Sequence, residues 1–488
     1  MQQLTTLLRS AAVAAGVAYI ALYVVLAGLR LRYPFELEWV EGGFVEHVRR
    51  LLDGQRLYVA PSLDFVPFIY PPLYFYAGAL VSWVAGIGLV PLRLISIAAS
   101  LGCLWLIFRF VTDETTDSAA GVLSAGVFAA TFRISGAWFD LARVDSLFLF
   151  LLLAGLYLIR SSTSLRSHIA AGVCISLAFL TKQSALVMAL PVGVYVLWRD
   201  WRRGLCFGAT VLLVSGGSVL WLNILHDGWF WYYVFELPSE HKLLPENWVG
   251  FWTNDLLRPL WPACFVGVLT LIRPKRLPRG ATFFYALFTL GLLGGAWMTR
   301  LHSGAFDNVL IPAYAALAVL VGLGAHTRAG QVGPNVAQRL WAASIYALCC
   351  LQFGLLIYNP RQQVPTAADE QAGREVVAAL AQIKGPVFVP SHGYLAVLAG
   401  GRSYAHQAAI WDLFRGHVNA TRTHLRNEII DALQRKAFAA LVMDGPTLMP
   451  TYVERAYVPA RRLFGERDVF WTVTGLRTRP ETIYVPRR

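Results

Sequence analysis

Residues 169–198 read IAAGVCISLAFLTKQSALVMALPVGVYVLW, one apolar run broken at its centre by Thr181, Lys182, Gln183 and Ser184. Basic residues flank it on both sides: Arg160 and Arg166 before it, Arg199, Arg202 and Arg203 after it. A single bilayer crossing would leave one basic flank outside, against the rule that Lys and Arg collect on the cytoplasmic side. Two short helices that meet near Lys182 satisfy both flanks and put Lys182 at an outer tip. That choice sets the parity of the whole chain.

Other apolar stretches, at 11–29, 91–110, 118–135, 144–159, 204–225, 259–272, 281–299, 308–324 and 339–358, are long enough or nearly so to span a bilayer. Arg9, the group Arg273/Lys275/Arg276/Arg279, and Arg328 then fall on the cytoplasmic side with the flanks above. Residues 71–88 are apolar too, but a crossing there would turn every later basic loop outward. Their aromatic content suits a helix lying at the outer interface. The prediction is a polytopic α-helical membrane protein of about eleven spans, amino terminus inside and carboxyl terminus outside. Residues 11–29 are long for a cleavable leader and lack a clear cleavage site, so they are kept as the first helix.

Composition agrees: 56% of residues are hydrophobic and 15% charged, which excludes an ordinary soluble core. The net charge of +13 is spread over loops, which points to topology and anionic lipid; no basic patch interleaved with aromatics suggests nucleic acid. The six cysteines fall in predicted spans, and no Cys/His spacing suggests a zinc site. The chain divides at about residue 358. The tail, 359–488, has helical periodicity at 366–383 and 421–436, strand patterns at 386–390 and 438–443, and a closing hairpin expected over 462–479. This is a small extracytoplasmic α/β domain, large enough for its own core. His392, Gly393, Tyr394, His406 and Trp411 are its conspicuous residues, with loop ends and packing the commoner account. Asn419 opens a weak glycosylation sequon.

The first outer loop, 30–90, carries the densest polar signal. It reads FELEWVEGGF (35–44), then GQRLY (54–58), then YPPLY (70–74). In a helix from about residue 38, Glu38, Glu41 and Val45 share a face, while Glu46 and Arg50 pair on another. Two carboxylates beside Gly42 and Gly43 suit a general base, or they pair with the arginines around them. Trp229, Trp231, Tyr232 and Tyr233 read as an interfacial belt or a platform for a sugar or prenyl group, with Glu236 and Glu240 as spare acceptor-binding acids.

The order of these features resembles the GT-C superfamily of membrane glycosyltransferases, in its protein O-mannosyltransferase-like and aminoarabinose transferase-like branch. The acidic motif, the Gly54–Tyr58 turn, the Pro71-Pro72-Leu73 helix start, ARVDS (142–146), LTKQS (180–184) and HSGAFDNVLIP (302–312) carry the resemblance, which covers nearly the whole membrane part, 1–358. The departure is Val40, which stands where the family often has Asp before the motif glutamate. The resemblance implies an inverting glycosyltransferase. It takes a sugar from a polyprenyl-phosphate donor to an acceptor hydroxyl on a glycan, lipid or protein, at the outer face of a bacterial inner membrane. It implies Glu41, with Glu38 as alternate, for the base, and Arg143, Lys182, Arg300 and His302 for the donor phosphate. Tyr70, Asp145 and Asn308 follow as substrate-binding residues, and a divalent cation is left open. The rivals are a lipid or polysaccharide transporter, which would need polar residues through the membrane midplane, and a non-catalytic partner of a glycosyltransferase.

Overall fold

The computed structural model describes residues 2–272, 279–329, 336–445 and 447–488. Arg273, Lys275 and Arg276, and the side chains of Arg279 and Arg328, lie outside them.

Each predicted apolar stretch falls on a helix. Six helices are long and apolar enough to cross a membrane: Gln2–Leu31, Leu89–Thr115, Trp201–Leu225, Asn247–Ile272, Gly280–Arg300 and Asp307–Thr327. Val336–Leu355 qualifies only together with Pro360–Ala381, across a 59° bend. Ser118–Ala130, Leu165–Thr181 and Ala185–Arg199 are apolar but shorter. At 1.5 Å per residue a 13-residue helix rises roughly 20 Å, less than a hydrocarbon core of about 30 Å. Ser118–Ala130 therefore stops early, and the buried irregular segment 131–144 continues from it. The two helices predicted around Lys182 are present, with Lys182 as the cap of the first. The helix Leu73–Ala85 leaves Leu80 and Trp83 69% and 78% exposed, as an interfacial helix would.

The helices pack along small residues. A Cβ added to Gly126 would lie 2.2 Å from the Cα of Gly16, so the first helix and Ser118–Ala130 cross at backbone contact. Nearly all of Asp307–Thr327 is enclosed by its neighbours. Basic side chains gather at one end of the bundle. Arg9 and His326 both reach Asp117, Arg160 and Tyr285 both reach Glu114, and Arg199 abuts Gly280. The helix Asp145–Ser161 runs from that end to the opposite one, where Asp145 meets Lys182. The chain is thus two-ended: one end a basic fringe, the other a polar site.

The tail holds a four-stranded sheet of β1 (Val387–Phe388), β2 (Ala440–Met443), β3 (Tyr457–Arg462) and β4 (Thr482–Pro486), in the order β1-β2-β4-β3. β1 and β2 are parallel and the other pairs antiparallel. The helices Ala367–Ala381 and Ala420–Gln434 lie where periodicity predicts. The predicted hairpin over 462–479 is instead the irregular link between β3 and β4. Arg479 holds that link by donating to the carbonyls of Arg467 and Val469. Nor does the tail keep a core to itself. Tyr394, Tyr404 and Phe388 belong to the same cluster as Trp39, Phe44 and Phe68 of the first loop, and Phe470 packs edge-on against Phe35.

Candidate active site

The first loop places its two candidate acids in different surroundings. The helix begins at Glu41, and Glu38 precedes it in a turn, bridged to Thr474 of the tail. The shared helical face predicted for the two acids is therefore absent. Glu41 turns back to accept from the amides of Leu37 at 2.7 Å and Ala142 at 2.8 Å. Arg93 grips it with Nε at 3.0 Å and Nη2 at 2.7 Å, and spends its other N–H groups on the carbonyls of Arg30, Tyr33 and Phe35. Burial alone would raise the Glu41 carboxyl, but Arg93 and the two amides outweigh it and hold it below the usual range. A sealed carboxylate with four donors is a poor proton acceptor. Glu41, predicted as the base, instead locks the first loop to the helix Leu89–Thr115.

Glu38 differs in both access and basicity. It lines a cavity of about 340 Å³. Its Oε2 takes Arg143 Nη1 at 2.8 Å and the Val40 amide at 3.2 Å. Burial raises the Glu38 carboxyl, Arg143 opposes, and the balance is a pKa pushed up to about 7. Arg143 also donates to the Tyr70 hydroxyl at 3.2 Å and lies over the rings of Phe44 and Trp138. Lys182 Nζ meets Asp145 Oδ1 at 2.7 Å, and Asn308 Nδ2 donates to the same oxygen at 2.9 Å.

The cavity thus brings together Glu38, Tyr70, Arg143, Lys182, His302 and Asn308 from five separate stretches of sequence, with Asp145 behind them. It omits three predicted residues: Asp145, which holds Lys182 and Asn308 from behind, Glu41 and Arg300. Arg300 turns to Asp255 at 2.9 Å and Asp307 at 3.2 Å, the nearer carboxylates at its helix end. His302 Nδ1 is buried without a partner, and burial beside His241 lowers its pKa. Val187, Met298 and Gly295, from the helices Ala185–Arg199 and Arg279–Arg300, give the cavity an apolar wall. Among the described residues no three His, Cys, Asp or Glu side chains are grouped to hold a metal ion.

The aromatic run after residue 228 is off the cavity. Trp229, Tyr232 and Tyr233 pack on one another and on Tyr58, while Trp231 is half exposed. Glu240 accepts from the His417 amide at 2.8 Å, tying that loop to the tail. Glu46 pairs with Arg49, not Arg50. Of the conspicuous tail residues, His392 bonds Glu36, His406 caps the helix Gln407–Arg415, and Trp411 packs on Trp39 at 5.6 Å. Sequence reasoning missed Trp39, His241, Asp412 and Arg415 in the cavity wall. The Asp412–Arg415 spacing marks a helix pair, but nothing in it says which way the pair faces.

A family model described as dolichyl-phosphate-mannose-protein mannosyltransferase matches residues 70–229, the stretch that carries Tyr70, Arg143 and Lys182. ArnT from Cupriavidus metallidurans bound to undecaprenyl phosphate superposes with a TM-score of 0.63 at 12% identity, over 96% of this chain and 97% of that one. Its apo state gives 0.59 at 14% identity with the same coverage. An uncharacterized protein from Aquifex aeolicus (strain VF5) is 24% identical over 357 residues, 68% of this chain and 79% of that protein. The family model covers about a third of the chain, and the fold as a whole is that of ArnT.

Proposed function

We propose that the protein transfers a sugar from a polyprenyl-phosphate donor to an acceptor hydroxyl, with inversion, in the cavity around Glu38. One observation carries this reading: Glu38, its partner Arg143 and Lys182, the last held from behind by Asp145, line one cavity that also has an apolar wall between helices. The wall suits a prenyl chain, and ArnT from Cupriavidus metallidurans, with the same fold, binds undecaprenyl phosphate. Arg143 and Lys182 hold the donor phosphate, displacing or sharing Glu38 and Asp145. Glu38 takes the acceptor proton as its oxygen bonds to the anomeric carbon. The bond from that carbon to the phosphate oxygen breaks, and both electrons leave with the polyprenyl phosphate, stabilised by the two cations. A base for the acceptor hydroxyl and cations for the leaving phosphate suit a single displacement.

The predicted outer placement of this cavity in a bacterial inner membrane belongs to the same proposal. It is supported by the gathering of basic side chains at the other end of the bundle. That two-ended layout also weighs against a transporter. A reporter pair fused after Arg488, alkaline phosphatase and a cytoplasm-only fluorescent protein, checks the orientation; fluorescence without phosphatase activity overturns it. Purified protein is to be assayed for radiolabel transfer from a panel of polyprenyl-phosphate sugars. Transfer from at least one member, lost in Lys182→Ala, is expected; no transfer to any acceptor overturns the activity.

A further inference from the structure

The cavity is closed on one side by a helix from the tail. Gln407–Arg415 contributes Ala408, Asp412 and Arg415 to its wall, far in sequence from every other lining residue. This helix is fixed in place by contacts to the membrane part. His241 Nε2 lies 3.0 Å from the Asp412 carbonyl. Gly304, at φ +88°, has a backbone conformation that favours glycine, and a Cβ there would fall 2.6 Å from Arg415 Nη1, so the 302–306 loop passes close beneath Arg415. Glu240 bonds the His417 amide just beyond the helix, and Trp411 packs on Trp39, itself in the wall.

Asp412 and Arg415 meet through Oδ1 and Nη1 at 2.6 Å. The other carboxylate oxygen and the rest of the guanidinium fork carry no further hydrogen bond among the described residues. Burial raises the Asp412 carboxyl against the opposing charge of Arg415. The pair is neutral as a unit, and the cations at Arg143 and Lys182 already have acids of their own. An anion at this spot would meet Asp412 and a cation would meet Arg415. A neutral ring with adjacent hydroxyls satisfies both, one hydroxyl donating to the carboxylate and the next accepting from the guanidinium. Trp39 in the same wall offers a ring for the apolar face of a sugar.

We infer that Asp412 and Arg415, with Trp39, form a recognition subsite for a neutral sugar ring, built from the tail and set apart from the phosphate-binding cations. The inference rests on reading the cavity as a sugar-transfer site and adds who recognises the sugar. That ring belongs either to the donor or to the acceptor.

Full-length protein in nanodiscs is to be tested by saturation-transfer NMR with a panel of methyl glycosides, beside binding of undecaprenyl phosphate. Wild type is expected to bind at least one glycoside, and Asp412→Asn and Arg415→Gln to weaken it about tenfold, the loss of one charge-assisted contact. Both variants should keep the wild-type melting temperature and undecaprenyl phosphate affinity, whereas Lys182→Ala loses the lipid and keeps the glycoside. Mannosyl undecaprenyl phosphate displaces the glycoside if the ring is the donor's and leaves it bound if it is the acceptor's. Equal glycoside binding by wild type and both variants overturns the subsite, as does no glycoside binding by protein that holds the lipid. A wild type that ignores undecaprenyl phosphate overturns the donor reading alone if Asp412-dependent glycoside binding persists, and both if it does not. A variant that loses lipid and glycoside together, with a lowered melting temperature, assigns Asp412 to packing and overturns the subsite too.

Discussion

The first loop holds two acid–arginine pairs, Glu41–Arg93 and Glu38–Arg143, whose acids are three residues apart and whose closest contacts are 2.7 and 2.8 Å. They do opposite things. Glu41 takes four donors in a sealed pocket and has its carboxyl pulled down; Glu38 lines a cavity, takes two on one oxygen, and has its carboxyl pushed up to about 7. Distance between partners does not separate structure from chemistry here. The number of donors and the presence of open space beside the acid do.

The comparison breaks most visibly if the sealed pair can be opened without cost. Arg93→Met strips Glu41 of its counter-charge and two of its four donors and takes the Arg93 contact from three carbonyls, and the loss of one member of a buried pair costs about 3–5 kcal/mol. Little monodisperse protein and a sharply lowered melting temperature in detergent are expected; a well-folded variant with only slow turnover would move Glu41 back into the chemistry. Glu38→Gln keeps shape and loses basicity, so turnover should fall about 10²–10⁴-fold while the melting temperature and lipid binding hold. Parallel rates for Glu38→Gln and Glu41→Gln decide the assignment: a dead Glu41→Gln that folds normally beside an active Glu38→Gln reverses it.

Smaller effects sharpen the same contrast. Lys182→Ala removes one charge-assisted contact to the donor phosphate and should weaken undecaprenyl phosphate binding roughly ten- to a hundredfold, read by titration. The pH profile tests the raised carboxyl. As the proposed base, Glu38 would act only when deprotonated, so activity should climb as pH rises through about 7. Arg143 lowers that pKa, so in Arg143→Gln the acid limb of the residual activity should shift to higher pH by about one unit or more. A limb that stays put, or moves down, removes Glu38 as its origin.

Much of this was legible in sequence because it follows from periodicity and charge. The paired helices about Lys182 came from basic flanks on both sides of an interrupted apolar run, and Tyr70, Arg143, Lys182, His302 and Asn308 from a shared order of motifs. What failed was direction. Treating residues 38–45 as one helix put both glutamates on one face, whereas the Arg93 side chain, some fifty residues on, pulls Glu41 inward and the Thr474 backbone holds Glu38 in a turn. Arg300, which the resemblance implies for the donor phosphate, is taken by two nearer carboxylates, Asp255 and Asp307. Asp412 and Arg415 were invisible because their place depends on how the tail docks, which no local pattern records.

That docking has a consequence for how the protein comes into being. Tyr394 packs against Gly42, His392 bonds Glu36, and Thr474 bridges Glu38, so the tail helps shape the very loop that presents the acid. The membrane helices are synthesised first and the tail after them. Until the later segment folds back, the earlier one has an unfinished wall and an acid whose turn lacks its bridge. The cavity wall is therefore complete only once the last part of the chain has docked on the first.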